Sequence, residues 1–320
     1  MKIMNMKGGE GMKVINKKGF LYEINKNRIL YAMFLPAALF FIIFVYAPLP
    51  GIVVAFKEFN YKDGIYMSPW NNFSNFKFLI NSGTALTVVK NTVFYNLIFL
   101  AAYTFFSVVT AIFIAEMTGK LFKKITQTFM FLPYFISWVT VTALMYNIFG
   151  YEYGAVNGVL RSMGMEGWDI YSNPGNWTLI LPILYVWKWI GFGSVLYLSS
   201  IMGIDHECYE SATIDGANLY HRVWYITLPM LKPTVVILIL LGIGRIMRGE
   251  FDMFYQLIGN NGMLFDKTDI IDTLVFRSLV GVHDFGMASA AGFMQSIACF
   301  VIIMVVNGLV KKYDKDYALF

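Results

Sequence analysis

GIDHECYESATIDGANLYHRVWYITLPMLKP, residues 203 to 233, is the one long polar passage between two strongly apolar segments in the second half of the chain. From Asp205 to Tyr209 the residues are polar or amphipathic, with neither Gly nor Pro. From Glu210 the pattern predicts a short amphipathic helix, a break at Asp215-Gly216, and a second amphipathic helix with Pro229 and Pro233 at its exit. That is a helix-turn-helix bracket between membrane spans. Its apolar residues Ala212, Ile214, Ala217, Leu219, Val223 and Ile226 cannot all be covered by so short a piece, which suits docking to a partner. A connector lying on lipid headgroups is the other reading of the same pattern.

Composition requires the spans on either side. With 58% hydrophobic, 18% aromatic and 14% charged residues and a mean hydropathy of +0.58, a chain of 320 residues is too apolar to be soluble, so it is read as an all-α polytopic membrane protein. The net charge of +5 does not imply nucleic-acid binding, because the Lys and Arg residues sit mostly in loops flanking apolar runs, where membrane orientation accounts for them. Cys208, in the polar loop, and Cys299, in an apolar run, fall on different compartments and are not expected to pair.

Residues 1–27 carry six lysines against Glu10 and Glu23, with Gly8, Gly9 and Gly11, and read as a flexible basic tail on the cytoplasmic side. Residues 28–320 are expected to form one six-helix transmembrane domain. The first apolar run, about 29–56, is too long for a signal-peptide core and lacks a small-residue cleavage site; Pro36, Pro48 and Pro50 should kink it or end it in pieces. The aromatic-rich segment 57–85 reads as an interfacial belt on the outer side. A second span, about 86–115, leads to Lys120, Lys123 and Lys124, which mark the inside; a third, about 126–149, is interrupted by Pro133 and leads outside. The fourth, about 177–202, delivers the chain to the 203–233 loop inside. The fifth starts near Thr234 and weakens after Ile243; the acidic excess in 253–287 places that segment outside, and the sixth span, about 287–310, ends at Lys311-Lys312 inside. Ala288, Gly292 and Ser296 form a small-residue stripe suited to close helix packing.

The 203–233 loop resembles the cytoplasmic signature of ABC importer permeases, usually written E-A-A, three residues, G, nine residues, I, one residue, L-P. It appears here as Glu210-Ser211-Ala212, Gly216, Ile226 and Leu228-Pro229, with Asp215 and Ala217 matching the sugar-permease version. Ser211 replaces the first Ala. Asp284-Phe285-Gly286 before the last span is also typical of that family, and the compact length is similar to its complex-oligosaccharide branch. The resemblance implies a cytoplasmic coupling helix between the fourth and fifth of six spans, in a bacterial cytoplasmic membrane protein with both termini inside. It implies as partners a second permease subunit, usually a different chain, two ATP-binding subunits that use ATP and Mg, and an extracytoplasmic solute-binding protein that delivers an oligosaccharide. In such a permease Glu210 would hold the docking geometry, Asp215-Gly216 would set the bend, and Pro229 would fix how the second short helix feeds the fifth span.

This chain has no phosphate-binding G-x-x-x-x-G-K-[ST] loop, so no ATP site of its own is expected, and it is not read as an enzyme. His206-Glu207-x-x-Glu210 lacks the second His of a zinc-protease motif, and Gly191-Phe192-Gly193-Ser194 lacks the Gly of a nucleophile elbow and is better explained by helix packing. The costly residues are more informative. Lys188, between Trp187 and Trp189 inside the fourth span, is charged where insertion costs roughly 2.5 to 3.5 kcal/mol, so it should face the interior or a wet cavity, or else snorkel outward. Arg245 and Arg248, three apart, would share one helical face and present two cations to an acidic sugar, or pair with Glu250 or Asp252. In the resembled maltose permeases substrate contacts cluster in these two regions, which makes Trp187, Lys188, Gly191, Gly244, Arg245 and Arg248 the candidates for the substrate pathway. An ion-coupled secondary transporter is the alternative; it would need a carboxylate set inside the spans, where none is evident. An intramembrane enzyme would need a nucleophile or metal set that cannot be assembled from these residues.

Overall fold

The computed structural model describes residues 22, 26 to 81 and 83 to 319; most of the expected basic tail lies outside them. The chain divides into two units, residues 1–53 and 54–320. In the first, α1 (Arg28–Phe41) runs through Pro36, a π-helical turn follows at Ile42–Tyr46, and a 3-10 helix begins at Leu49. The pieces fall where Pro48 and Pro50 remove backbone donors.

The second unit begins with a folded aromatic segment. Lys57 and Trp70 form an isolated β-bridge, and Phe56, Phe73, Phe76 and Phe293 form an aromatic cluster with mostly edge-to-face contacts. Next come α2 (Ser74–Asn81), α3 (Thr84–Glu116), α4 (Lys120–Phe135), α5 (Trp138–Phe149), α6 (Ala155–Ser162) and α7 (Pro174–Met202). Beyond the polar loop, α8 (His206–Ile214) is followed by α9 (Leu219–Arg222), which a π turn at Val223–Thr227 joins to α10 (Leu228–Ile243). The last elements are α11 (Phe251–Ile258), a single turn at Phe265–Thr268, α12 (Ile271–Val280) and α13 (Phe285–Tyr313). Among the described residues no strand forms.

Among the described residues five helices are long and apolar enough to cross a membrane, or six if the bent pair α4–α5 counts as one span. That pair turns by 91°. The interruption does not fall at Pro133, which sits inside α4, but at Ile136-Ser137, where Ile136 is extended and the Ser137 hydroxyl accepts from the Thr140 amide to start a new helix. The fifth span likewise does not begin near Thr234. It is continuous from Leu219 to Ile243, and neither Pro229 nor Pro233 breaks it. The π turn just before Pro229, in which the Leu228 amide reaches back to the Val223 carbonyl, widens the helix where the proline ring would otherwise press on it.

The paired helices α3 and α7 form the axis of the unit. At one end Tyr95, Phe99, Trp138, Trp177 and Leu181 share a core with Met253, Phe254, Leu257, Leu264 and Ile270. Residues 253–287, assigned to the outer side by their acidic excess, are therefore not a loop. They fold into α11, a turn and α12, with apolar faces in the core. Their buried acid Asp269 is paired with Arg277 at 2.5 Å and accepts from the Thr273 hydroxyl. At the other end of the axis Ala111, Ile114, Tyr197, Leu198, Ile201 and Leu231 form a second core. Within α13 only Ala288 of the small-residue stripe is buried; Gly292 has open space at its Cβ position and Ser296 is exposed.

Candidate functional site

The polar loop is built from standard capping chemistry. The Asp205 carboxylate accepts from the Glu207 amide to start α8, and Glu207 in the first turn complements the positive end of the helix dipole. At the other end the Gly216 amide donates to the Thr213 carbonyl and the Ala217 amide to the Ala212 carbonyl, the two bonds of a Schellman cap, with Gly216 at φ +80°. The signature spacing from Ala212 to Ala217 is thus the spacing of a helix C-cap, and the glycine is there because an L side chain resists that φ. Asn218 then caps α9 by accepting from the His221 amide.

Two contacts brace the bend. The Tyr209 hydroxyl meets Thr227 Oγ1 at 3.0 Å, tying α8 to the π turn, and Arg222 pairs with Glu116 at the end of α3 at 3.0 Å. A cleft of about 770 Å³ lies behind α8, lined in part by Glu116, Lys123, His206, Tyr209, Glu210 and Arg222. Glu210, Ser211, Asp215, Gly216 and Pro229 are exposed, while Ala212, Ala217, Ile226 and Leu228 are half-buried. Of the apolar residues, Ile214 is 87% exposed and Leu219 50%, an uncovered apolar pair on either side of the bend. Glu116 and Arg222 are each about 30% exposed, so their attraction is screened to about 0.5 kcal/mol. Arg222→Glu is expected to lower the thermal midpoint only slightly, with the E116R/R222E swap recovering it; a double-mutant cycle on unfolding checks this, and strictly additive effects would refute it.

The second region lies along α7 and just beyond α10. Lys188 is buried, and its ammonium donates to the carbonyls of Pro133, Tyr134 and Ile136 at the break between α4 and α5, with the Trp138 ring 5.1 Å away on another side. The expectation that it faces the interior holds, and the snorkelling alternative does not. These three carbonyls lie where the helix stops; that of Pro133 also accepts from the Ile136 amide, and at Tyr134 and Ile136 the lysine takes the place of missing backbone donors. Gly191, one turn on, packs against the same helix: a Cβ there would overlap the Met130 carbonyl oxygen and lie 2.6 Å from its carbon. Trp187, by contrast, is exposed.

Gly244, Arg245 and Arg248 are not on a helix. α10 ends at Ile243, and 244–250 is an irregular turn, so the arginines do not share a helical face; both are exposed. Three other helices satisfy this turn. Asn96 from α3 donates to the Ile246 carbonyl at 3.0 Å, Gln295 from α13 donates to the Met247 carbonyl at 2.6 Å, and Asp272 from α12 accepts from the Gly249 amide at 2.7 Å and from Gln295 at 3.1 Å. Non-helical backbone at membrane depth is tolerated only where protein buries it or it lines a cavity. The sequence reading missed Asn96, Asp272 and Gln295; the only local signal was the polarity of Asn96 and Gln295 inside apolar runs. Among the described residues no group of three His, Cys, Asp or Glu side chains converges to hold a metal ion.

Comparison with known proteins fits this arrangement. Residues 107–318 match the family described as binding-protein-dependent transport system inner membrane component. The chain is 31% identical over 301 residues to the polygalacturonan/rhamnogalacturonan transport system permease protein YteP of Bacillus subtilis (strain 168), covering 94% of this chain and 93% of that protein. It is 27% identical over 297 residues to LplB of the same organism, covering 93% of each. The fold matches that of a chain in the crystal structure of a bacterial alginate ABC transporter in complex with alginate pentasaccharide-bound periplasmic protein. The TM-score is 0.82 and the identity 29%, over 93% of this chain and 99% of that one.

Proposed function

The chain belongs to the family of binding-protein-dependent transport system inner membrane components, and on that premise we propose that it is a permease subunit of an ATP-driven importer for an acidic oligosaccharide. The observation that carries the coupling role is the exposed, Schellman-capped bend at Asp215-Gly216, with Glu210 and Ile214 uncovered on α8. Each of two ATP-binding subunits would receive one such bend in a surface cleft, on this chain and on a second permease. Glu210 would supply a charge-assisted hydrogen bond and Ile214 the apolar contact. ATP and Mg are used by those subunits, not by this chain. Closure of the ATPases pulls the loops, and because α9 runs without interruption into α10, the pull reaches the 244–250 turn as a rigid movement. A solute-binding protein delivers the saccharide on the opposite side, with the 203–233 loop and both termini in the cytoplasm of a bacterial cell.

The acidic class is supported by Arg245 and Arg248, two exposed cations on non-helical backbone, and by similar proteins whose names concern polygalacturonan, rhamnogalacturonan and the acidic polysaccharide alginate. Trp187 would add an apolar face for a sugar ring. The ion-coupled carrier considered from the sequence finds no counterpart among these relatives.

Two measurements test the proposal. Co-purification of the tagged chain expressed with its neighbouring genes should recover an ATPase pair and a second permease, and a lone ATPase-free chain would contradict the assignment. In the reconstituted complex with its binding protein, R245A/R248A is expected to lower stimulation of ATP hydrolysis by a uronic-acid oligosaccharide about tenfold or more, the loss of one to two charge-assisted contacts. Unchanged stimulation would remove the arginines from the pathway.

A further inference from the structure

Both peptide groups that flank Arg248 are held by one pair of side chains. The Met247 carbonyl, in the peptide before it, accepts from Gln295 Nε2 at 2.6 Å, and the Gly249 amide, in the peptide after it, donates to Asp272 Oδ2 at 2.7 Å. The same Gln295 nitrogen donates to the same Asp272 oxygen at 3.1 Å, which closes a hydrogen-bonded ring through the backbone of Arg248. The peptide before Arg248 is held at its N–H as well, which donates to the Arg245 carbonyl at 2.8 Å. A peptide group is planar, so fixing the planes on both sides of a residue fixes its φ and ψ, and with them the direction in which its side chain leaves the backbone. The ring is also anchored away from the turn. The Ile271 amide donates to Thr92 Oγ1 at 3.0 Å, tying the start of α12 to α3. Ile246 and Met247 are buried in a core with Ile271, Leu274 and Cys299. Gly249 is required for the approach, because a Cβ there would lie 2.3 Å from Ile270 Cδ1 and 3.2 Å from Asp272 Oδ2. Gln295 is buried and Asp272 half-buried, yet the arginine between the peptides they hold is exposed.

We propose that Asp272 and Gln295 are positioning residues for Arg248: the ring they close sets the direction of its guanidinium, so that recognition of an acidic saccharide depends on two side chains that do not touch it. The proposal rests on the transport reading above and adds to it the residues that orient one of its two cations. Satisfying the two backbone groups would need only one donor and one acceptor. Joining that donor to that acceptor fixes the separation of the two peptides, and since the donor comes from α13 and the acceptor from α12, the turn cannot bend at Arg248 unless those helices part. Arg245 stands outside the ring, on the side of the turn that Asn96 anchors through the Ile246 carbonyl. The two arginines therefore depend on different anchors, and a change at Asp272 acts first on Arg248.

The test uses two readouts on the assembled importer, reconstituted with its binding protein and a uronic-acid oligosaccharide. Hydrogen exchange of the Gly249 amide, followed by mass spectrometry of the peptide that contains it, reads the ring. D272A is expected to speed that exchange at least about tenfold, the loss of a hydrogen bond to a charged group. D272N, whose amide oxygen can take both bonds in place of Oδ2, is expected to stay within about threefold of the unmodified protein. The ratio of saccharide-stimulated to basal ATP hydrolysis, which does not depend on how much folded complex is present, reads the positioning. D272A is expected to lower it at least about fivefold and D272N to stay within about twofold. In an R248A background, where Arg245 keeps stimulation measurable, D272A is expected to lower it less than about twofold further, because no guanidinium is left to place. Unchanged exchange in D272A, equal ratios for D272A and D272N, or the full effect of D272A in the R248A background would overturn the proposal. So would a lowered thermal midpoint with an unchanged ratio, the mark of a purely structural bridge. Should D272A fail to assemble, Q295L deletes both bonds of the amide and is expected to lower the ratio at least about threefold; an unchanged ratio there overturns the proposal equally. If R248A alone leaves stimulation unaltered, or no saccharide stimulates the unmodified complex, it is the reading of the transported saccharide that falls. The exchange of D272A against D272N then decides the ring by itself.

Discussion

Gly216→Pro abolishes saccharide uptake while leaving the chain in the membrane: this is the expected result of placing a ring that fixes φ near −65° where the backbone stands at +80°. The substitution also deletes the amide that donates to the Thr213 carbonyl, and it presses Asp215 out of its near-helical conformation. The Schellman cap is lost, and with it the angle between α8 and α9 that presents Glu210 and Ile214. No apolar core is touched, because nothing lies within 4 Å of the Gly216 Cβ position, so folding and insertion of the spans should continue. Gly216→Ala is the graded control: it meets no neighbour and carries only the left-handed penalty of about 1 kcal/mol, and uptake should fall but persist. Uptake of labelled oligosaccharide, normalised to the membrane-inserted chain, measures both; normal uptake by the proline variant would remove the bend from the mechanism.

The second large effect is expected at Gly191. A methyl group there meets the backbone of Met130, not the end of a flexible side chain, so α7 and α4 must separate. Overpacking of this kind costs about 1 to 3 kcal/mol, and the separation also draws Lys188 away from the carbonyls of Tyr134 and Ile136, part-buried acceptors worth about 1 kcal/mol each when left unpaired. Gly191→Ala should therefore fail to yield a monodisperse complex, or should melt far below the unmodified protein. Gly292→Ala, on a helix face with open space at the Cβ position, should melt within the error of the measurement. Thermal unfolding monitored by size-exclusion chromatography distinguishes them. Equal stability of the two variants would mean that α4 and α7 do not pack as described.

Both predictions concern glycines, yet they were unequally legible in the sequence. Gly216 follows a short amphipathic helix and an Asp, and that local pattern alone identifies a bend, because capping depends on residues within six positions of each other. Gly191 shows only that a small residue sits in an apolar run; which helix approaches it depends on a partner some sixty positions earlier. The same distinction separates Lys188 from its role. Its cost in the membrane marked it as inward-facing, but the carbonyls it satisfies lie more than fifty positions away at a bend whose place was misjudged. Proline is the strongest local breaker signal and drew the interruption to Pro133, whereas the Ser137 cap and the lysine beneath it moved the break to Ile136-Ser137. Asp272 was counted among external acids because hydropathy cannot tell a carboxylate in water from one accepting a buried amide.

What the sequence by itself determined was therefore what short-range physics controls: the apolar runs, the capped bend at Gly216, and the family signature that this bend embodies. The weakening of the fifth span after Ile243 was also legible; the tertiary structure alone decided that this span starts at the bend, that Arg245 and Arg248 stand on an irregular turn, and that Asn96, Asp272 and Gln295 hold that turn in place. The physical reason is that a buried polar group must be satisfied by whichever chain segment passes nearby, and the identity of that segment is a property of the packed helices and not of the local pattern.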